Sequence, residues 1–229
     1  DENKNALVAF CLSPSGTLQT LRSSYDAKAG CADFTVSQFS TYAVGYRKPD
    51  FTDAAENAWY ANALTFCAAR DITTGTGNHM FSPEAPLTRG QYIVLLMRAY
   101  GIVPDDSSAG NFSDAGNTYY TNYLSAAKRL GITSGVGGNA FLPERIVTRQ
   151  EFFTLLYHTL SAIGELPGGT SGTSLTSFSD ACEISEFARD PMEALVSSGV
   201  VNGAGGKLLP QETASRAQAV QVLYNLLSL

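Results

Sequence analysis

LTRGQ at 87–91, VTRQE at 147–151 and ASRAQ at 214–218 decide how this chain is read. In each, a hydroxyl residue is followed three positions later by Glu or Gln: Thr88 with Gln91, Thr148 with Glu151, Ser215 with Gln218. That is the capping-box pattern that opens a helix. The residues that follow, IVLLM at 93–97 and FFTLLY at 152–157, are apolar around most of a helix surface, which suits burial. Capping does not account for the arginine inside each box. A helix N-terminus carries partial positive charge and mildly disfavours a cation. Two readings of Arg89, Arg149 and Arg216 stand level on spacing alone. Either each pairs with an acid inside the fold, the Asp of a nearby F-[ST]-D being the candidate, or each guanidinium joins free backbone N–H groups as an anion receptor.

The arginines belong to a threefold repeat. FTD opens at 51, FSD at 112 and FSD at 178, spacings of 61 and 66, yet the opening Phe and its arginine are 38, 37 and 38 residues apart. The variation therefore sits in the linkers, 101–111 and the Gly/Ser/Thr-rich 164–177. Pro83, Pro143 and Pro210 each precede their arginine by six residues. Each unit parses as a first helix (about 59–70, 119–130 and 187–198), a Gly-rich turn, a Pro-containing extended segment, and a second helix (89–100, 149–160 and 216–227). The turns read TTGTGNHMF, TSGVGGNAF and VNGAGGKLL. Packing the three apolar second helices together in a central bundle is the economical solution.

Residues 6–46 have a different texture. Val8, Phe10 and Leu12 alternate with Ala9 and Cys11, PSG at 14–16 signals a turn, and a second alternation runs through Ala32, Phe34 and Val36. TYAVGY at 41–46 adds a further strand. Such a sheet is marginal alone and needs cover from the helical part or from a further domain. The expected division is a β-rich segment at 1–49 and a repeat region at 50–229, with repeats near 50–105, 111–165 and 177–229. The expected fold class is mainly α, preceded by a small antiparallel β segment.

Composition narrows the function. The chain carries −6 overall, and residues 1–49 carry +1 of it, which leaves −7 for the repeats. An acidic body without a basic run is a poor nucleic-acid binder, so an anionic partner must be caught by a few focused cations. No stretch reaches 18 apolar residues, so no membrane insertion is expected. The chain opens DENKN, without an initiator Met or export signal, and reads as a mature fragment whose signal lies elsewhere. Cys11, Cys31, Cys67 and Cys182 lack metal-ligand spacing. Cys67 reads as a buried hydrophobe, and a Cys11–Cys31 disulfide is the minor alternative to free thiols.

For catalysis little is on offer. His79 and His158 are isolated, and no nucleophile elbow, zinc helix or phosphate loop is present. Threefold repetition of one site favours binding, where modest sites gain by avidity. Neither a cofactor nor a metal is expected. Asp53, Asp114 and Asp180 read either as turn caps beside a core Phe or as acceptors for sugar hydroxyls. Trp59 and Tyr119 read as core or as stacking faces for a sugar ring, whereas Phe187, at the equivalent place, reads as core. The glycines Gly75, Gly77, Gly135, Gly137, Gly203 and Gly205 read first as positive-φ turns, with close approach of a ligand as the second reading.

The fixed order of F-[ST]-D, an aromatic near the first helix, a Gly-rich turn, F-x-P and T-R-x-E, three times over 51–229, resembles the S-layer homology family. FSTYAVGY at 39–46 also resembles the β-rich stretch that precedes such repeats in many bacterial surface proteins. The resemblance implies a pseudo-threefold arrangement around a central three-helix bundle, with grooves between the repeats. It implies a non-catalytic, extracellular anchor that binds secondary cell wall polysaccharide, often carrying an acidic pyruvate ketal. Carried onto this chain, Arg89, Arg149 and Arg216 face the carboxylate. Asp53, Asp114, Asp180, Gly77, Gly137 and Gly205 contact sugar hydroxyls, and Trp59 stacks, with Tyr119 at the matching position. Gln91 and Gln218 depart from the family's Glu, Gly90 weakens a first helical turn, and repeat three diverges most. Repeat two, with its full T-R-x-E, is the best single candidate for a working site. The competing functions are self-association in a surface lattice, or the anchor of a surface enzyme whose catalytic domain lies elsewhere.

Overall fold

Each second helix starts at its arginine, as the capping boxes require. The computed structural model describes residues 3–26, 28–36, 39–168 and 172–228, so the linker 164–177 lies partly outside the described residues. Among the described residues there are six α-helices: α1 (Ala61–Ala69), α2 (Arg89–Ala99), α3 (Thr121–Arg129), α4 (Arg149–Ala162), α5 (Glu186–Ser197) and α6 (Arg216–Leu227). Thr148 and Ser215 close complete capping boxes with Glu151 and Gln218. Thr88 and Gln91 exchange the same two bonds at 3.2 Å.

The fold class expected from the sequence needs correction. The chain is mixed α/β, 35% helical and 16% strand, and not mainly α. Among the described residues before 47, five strands form: β1 (Leu7–Leu12), β2 (Leu18–Thr20), β3 (Ser23–Asp26), β4 (Cys31–Phe34) and β5 (Thr41–Tyr46). They make two antiparallel sheets, β2-β1-β5 and β3-β4, where one small sheet was expected. The repeats add extended backbone of their own. Each Gly turn closes an isolated bridge (Gly77 with Met80, Gly137 with Ala140, Ala204 with Lys207), and the strand-like approach to the capping boxes adds Thr88 with Ile146 and Thr148 with Thr213. First helices of only 9 to 12 residues leave much of each repeat to this extended chain.

The chain divides into two compact units. The first holds Asp1–Ala85, Arg98–Ile102 and Ser215–Leu229; the second holds Pro86–Met97 and Val103–Ala214. In the first unit α1 packs on α6, with Phe66 edge-on to Tyr224 at 5.3 Å. Arg70, at the end of α1, covers the β segment. It is 7% exposed, and its guanidinium donates to the carbonyls of Ser23 at 2.7 Å, Leu7 at 2.8 Å, Asn5 at 2.9 Å and Phe66 at 3.2 Å. Burial lowers its pKa to about 10. A buried cation satisfied only by carbonyls makes sheet and helix interdependent, since removing either leaves donors unpaired. All four cysteines are free thiols; Cys31 belongs to the β3-β4 sheet while Cys11 sits in the other.

In the second unit the tight helix pair is α4 with α5, the second helix of one repeat against the first helix of the next. Second helices meet through Tyr92 of α2, stacked 4.0 Å from Phe152 of α4. Helices apolar on most sides need more partners than one another. Just before the capping boxes, three backbone bonds run in a cycle: Leu87 N–H to Ala214 C=O at 3.1 Å, Ala214 N–H to Val147 C=O at 3.3 Å, and Val147 N–H to Leu87 C=O at 2.9 Å. This triangle sets where the helices begin.

Candidate functional site

The Asp and Arg of the repeat motifs act on one peptide. Asp53 accepts from the N–H groups of Phe81 and Ser82, both at 2.7 Å. Asp114 accepts from Phe141 at 2.9 Å and Leu142 at 2.7 Å, and Asp180 from Leu208 at 2.9 Å and Leu209 at 2.8 Å. The second residue of each pair is a non-glycine at positive φ: Ser82 at 58°, Leu142 at 57°, Leu209 at 55°. The carboxylate holds a backbone shape that L-residues resist. On the other side of the same peptides, Arg89 Nε donates to Phe141 C=O at 2.9 Å, Arg149 Nε to Leu208 C=O at 2.9 Å and Arg216 Nε to Phe81 C=O at 2.7 Å. Each arginine thus serves the following repeat, with Arg216 of repeat three serving repeat one. Burial works to raise the carboxyls of Asp53 and Asp180; donation from the backbone N–H groups overcomes it, and both sit below the usual carboxylate range.

The helix N-termini are not open to an anion, contrary to the receptor reading. Arg89, Arg149 and Arg216 give their backbone N–H to the carbonyls of Arg145, Glu212 and Ala85. The next N–H, of Gly90, Gln150 and Ala217, goes to Pro143, Pro210 and Pro83, and the third is taken by the capping hydroxyl. Extended chain from the following repeat satisfies the donors that would otherwise await a ligand. Gly90 also finds its reason here, because a Cβ would lie 3.0 Å from the Tyr120 ring and 3.2 Å from Pro143.

Arg89 and Arg216 are buried and Arg149 is half-buried. Burial lowers the Arg89 pKa and Glu151 opposes the shift. Glu151 accepts from Arg89 Nη1 at 3.0 Å, from Arg145 Nη2, and from the Thr148 N–H of its own cap at 3.1 Å. The counter-charge that makes Arg89 tolerable at the start of α2 therefore comes from the next repeat. Arg149 is lowered by burial, with Glu212 and then Asp180 opposing.

The second unit contains a cleft of about 910 Å³. Its charged lining is Arg89, Lys128, Arg145 and Glu151, a balance of +2 on a chain that totals −6, with His158 beside them. Burial lowers the His158 pKa, so it adds no charge at neutral pH. The Lys128 ammonium is held by Gly110 C=O at 2.7 Å and Asn139 Oδ1 at 2.6 Å, while Arg145 is 44% exposed.

Of the residues nominated from the sequence, Arg89 lines this cleft; Arg149, Asp114, Asp180, Tyr119 and Gly137 of the same unit do not. Asp53, Trp59, Gly77 and Arg216 belong to the other unit, and Gly205 sits in the repeat-three turn. Trp59 and Tyr119 are 60% and 59% exposed, against buried Tyr60 and Tyr120 beside them. Phe187, assigned to the core from sequence, is 55% exposed and lines the cleft; its alignment with Trp59 was the signal. Arg145 and Gln211 also line it and were not singled out. In the turns, the sterically required glycine is the first: a Cβ on Gly75, Gly135 or Gly203 would lie 2.2–2.4 Å from a backbone oxygen. Gly77, Gly137 and Gly205 face open space.

The S-layer homology domain family matches at residues 50–93, 111–153 and 177–220, more than half of the chain. The chain belongs to that family. Relatives include an amylopullulanase of Thermoanaerobacterium thermosulfurigenes, 30% identical over 88% of this chain and 11% of its own length. S-layer protein EA1 of Bacillus anthracis is 24% identical over 76% of this chain and 19% of its own length. Exoglucanase XynX of Acetivibrio thermocellus is 27% identical over 77% and 16%. The chain thus spans under a fifth of each of these relatives. S-layer proteins and proteins named as enzymes thus each match about three quarters or more of this chain. Among the described residues no helix is long and apolar enough to cross a membrane.

Proposed function

We propose that this chain is a non-catalytic anchor that holds a longer protein on the outer face of a bacterial cell by binding an acidic secondary wall polysaccharide. The observation that carries the reading is the cationic cleft in the second unit, set in family-matching repeats of an otherwise acidic chain. A guanidinium-lined cleft with the exposed aromatic face of Phe187 suits a sugar bearing a carboxylate. Likeness to S-layer proteins and to enzymes alike supports a role in attachment, since a segment common to such different proteins serves something other than the activity each is named for. In the repeat motifs, Arg149, Arg216 and the three aspartates hold the peptides at 81–82, 141–142 and 208–209.

Sedimentation of the purified chain with bacterial cell walls, before and after chemical removal of secondary polysaccharide, tests this. Binding to intact walls and loss of binding on polymer removal are expected. Binding that survives removal contradicts the reading and points to a protein or peptidoglycan partner.

A further inference from the structure

The three repeats diverge at a position between the F-x-P and T-R segments, four residues before each repeat's arginine. Arg145, Glu212 and Ala85 occupy it. Its carbonyl accepts the backbone N–H of the arginine from the preceding repeat: Arg89 to Arg145 at 2.9 Å, Arg149 to Glu212 at 2.7 Å, Arg216 to Ala85 at 3.0 Å. That hydrogen bond fixes the residue beside the incoming guanidinium whatever its side chain. One scaffold therefore presents a cation, an anion and a methyl group at the same place.

The consequences are local and differ in sign. At Arg89 the added Arg145 shares the Glu151 carboxylate, so two guanidinium groups face one acid. Arg89 is buried there, and Arg145, 44% exposed, is the member that reaches the open cleft. Glu151 engages one edge of a five-donor fork, which leaves Arg145 able to grip a planar anion. At Arg149 the exposed Glu212 supplies an opposing charge, and Asp180 adds to it.

We infer that this position sets which ligand charge each corner accepts: Arg145 binds the acidic substituent of the polymer in the second-unit cleft, and Glu212 turns acidic ligands away from the Arg149 corner. The inference rests on the anchoring reading and specifies its selectivity. Arg145 is a specificity-determining residue and Glu212 its counterpart of opposite sign.

Isothermal titration with purified secondary wall polysaccharide, native and after mild-acid removal of its acidic substituents, tests the inference. Arg145→Ala is expected to weaken binding of the native polymer about tenfold or more, the scale of one charge-assisted contact, and to leave the stripped polymer's affinity unchanged. Glu212→Gln, a change at an exposed side chain, is expected to raise affinity or stoichiometry for the native polymer only. Equal losses for both polymers in Arg145→Ala, or no gain in Glu212→Gln, overturns the inference while leaving the anchor intact. A wild-type chain that binds neither polymer overturns the anchoring reading and this inference with it.

Discussion

The Arg89 corner and the Arg149 corner are built from the same parts and arrive at different electrostatics. Both arginines start a second helix, and both donate Nε at 2.9 Å to a carbonyl whose own peptide N–H is held by an aspartate, at 2.7 and 2.8 Å. Around Arg89 stand Glu151, Arg145 and Asp114; around Arg149 stand Glu212 and Asp180. The shared parts are structural, because they hold left-handed residues and satisfy helix donors. On the proposed reading, ligand selection resides in the parts that differ. The motif residues that make the repeats recognisable are thus mostly its frame, and the unmotivated neighbours give each corner its character.

Breaking the frame gives the largest effects. Glu151→Ala leaves Arg89 buried without its carboxylate, and a loss of about 3–5 kcal/mol is expected in chemical denaturation. Gln at the same position keeps the cap and is expected to lose less. Little change in Glu151→Ala shows that Arg89 is satisfied without its acid. Next in size, Asp114→Ala removes the acceptor that holds Phe141 and the left-handed Leu142, and about 2–3 kcal/mol is expected, read as a lower melting midpoint. Thr148→Ala removes one cap and is expected to cost about 1 kcal/mol. The smallest change is Gly90→Ala. Ala normally stabilises a helix by about 1 kcal/mol over Gly, but contact with Tyr120 and Pro143 is expected to cancel the gain. A clear rise in midpoint contradicts that packing.

Acid sharpens the same comparison. The Asp53 and Asp180 carboxyls lie below their ordinary value in the folded chain, so their contribution is complete above the unfolded value of about 3.9 and is lost as pH falls through the folded value. A melting midpoint that stays level above about pH 5 and falls below about pH 4 is expected. Asp180→Asn should flatten part of that fall, and an unchanged acid limb shows that other carboxyls govern it.

How much of this was legible in the sequence follows from the range of the interactions. The starts of α2, α4 and α6 fall where the capping boxes put them, because a cap is a bond between residues three apart. TYAVGY forms the predicted strand, since alternation is equally local. The Asp–peptide–Arg arrangement was half legible. Regular spacing marked the residues, but Asp114 meets its N–H partners 27 and 28 residues on, and Arg89 meets Glu151 across 62, distances that no local pattern encodes. The occupied helix N-termini escaped notice for the same reason, as their acceptors come from the following repeat. Phe187 was read as core because its type resembles buried phenylalanines; its exposure depends on how α5 lies on α4. The class was misjudged because isolated bridges of a single residue pair leave no periodicity to read.

The central claim, that the cationic cleft of the second unit is the receptor for an acidic wall polymer, is tested most directly by a crystal structure of the chain with an acidic oligosaccharide released from secondary wall polysaccharide. The account predicts the acidic substituent within hydrogen-bond distance of Arg145 and a sugar ring against Phe187. A fragment bound away from both residues, with the cleft left to water, contradicts it.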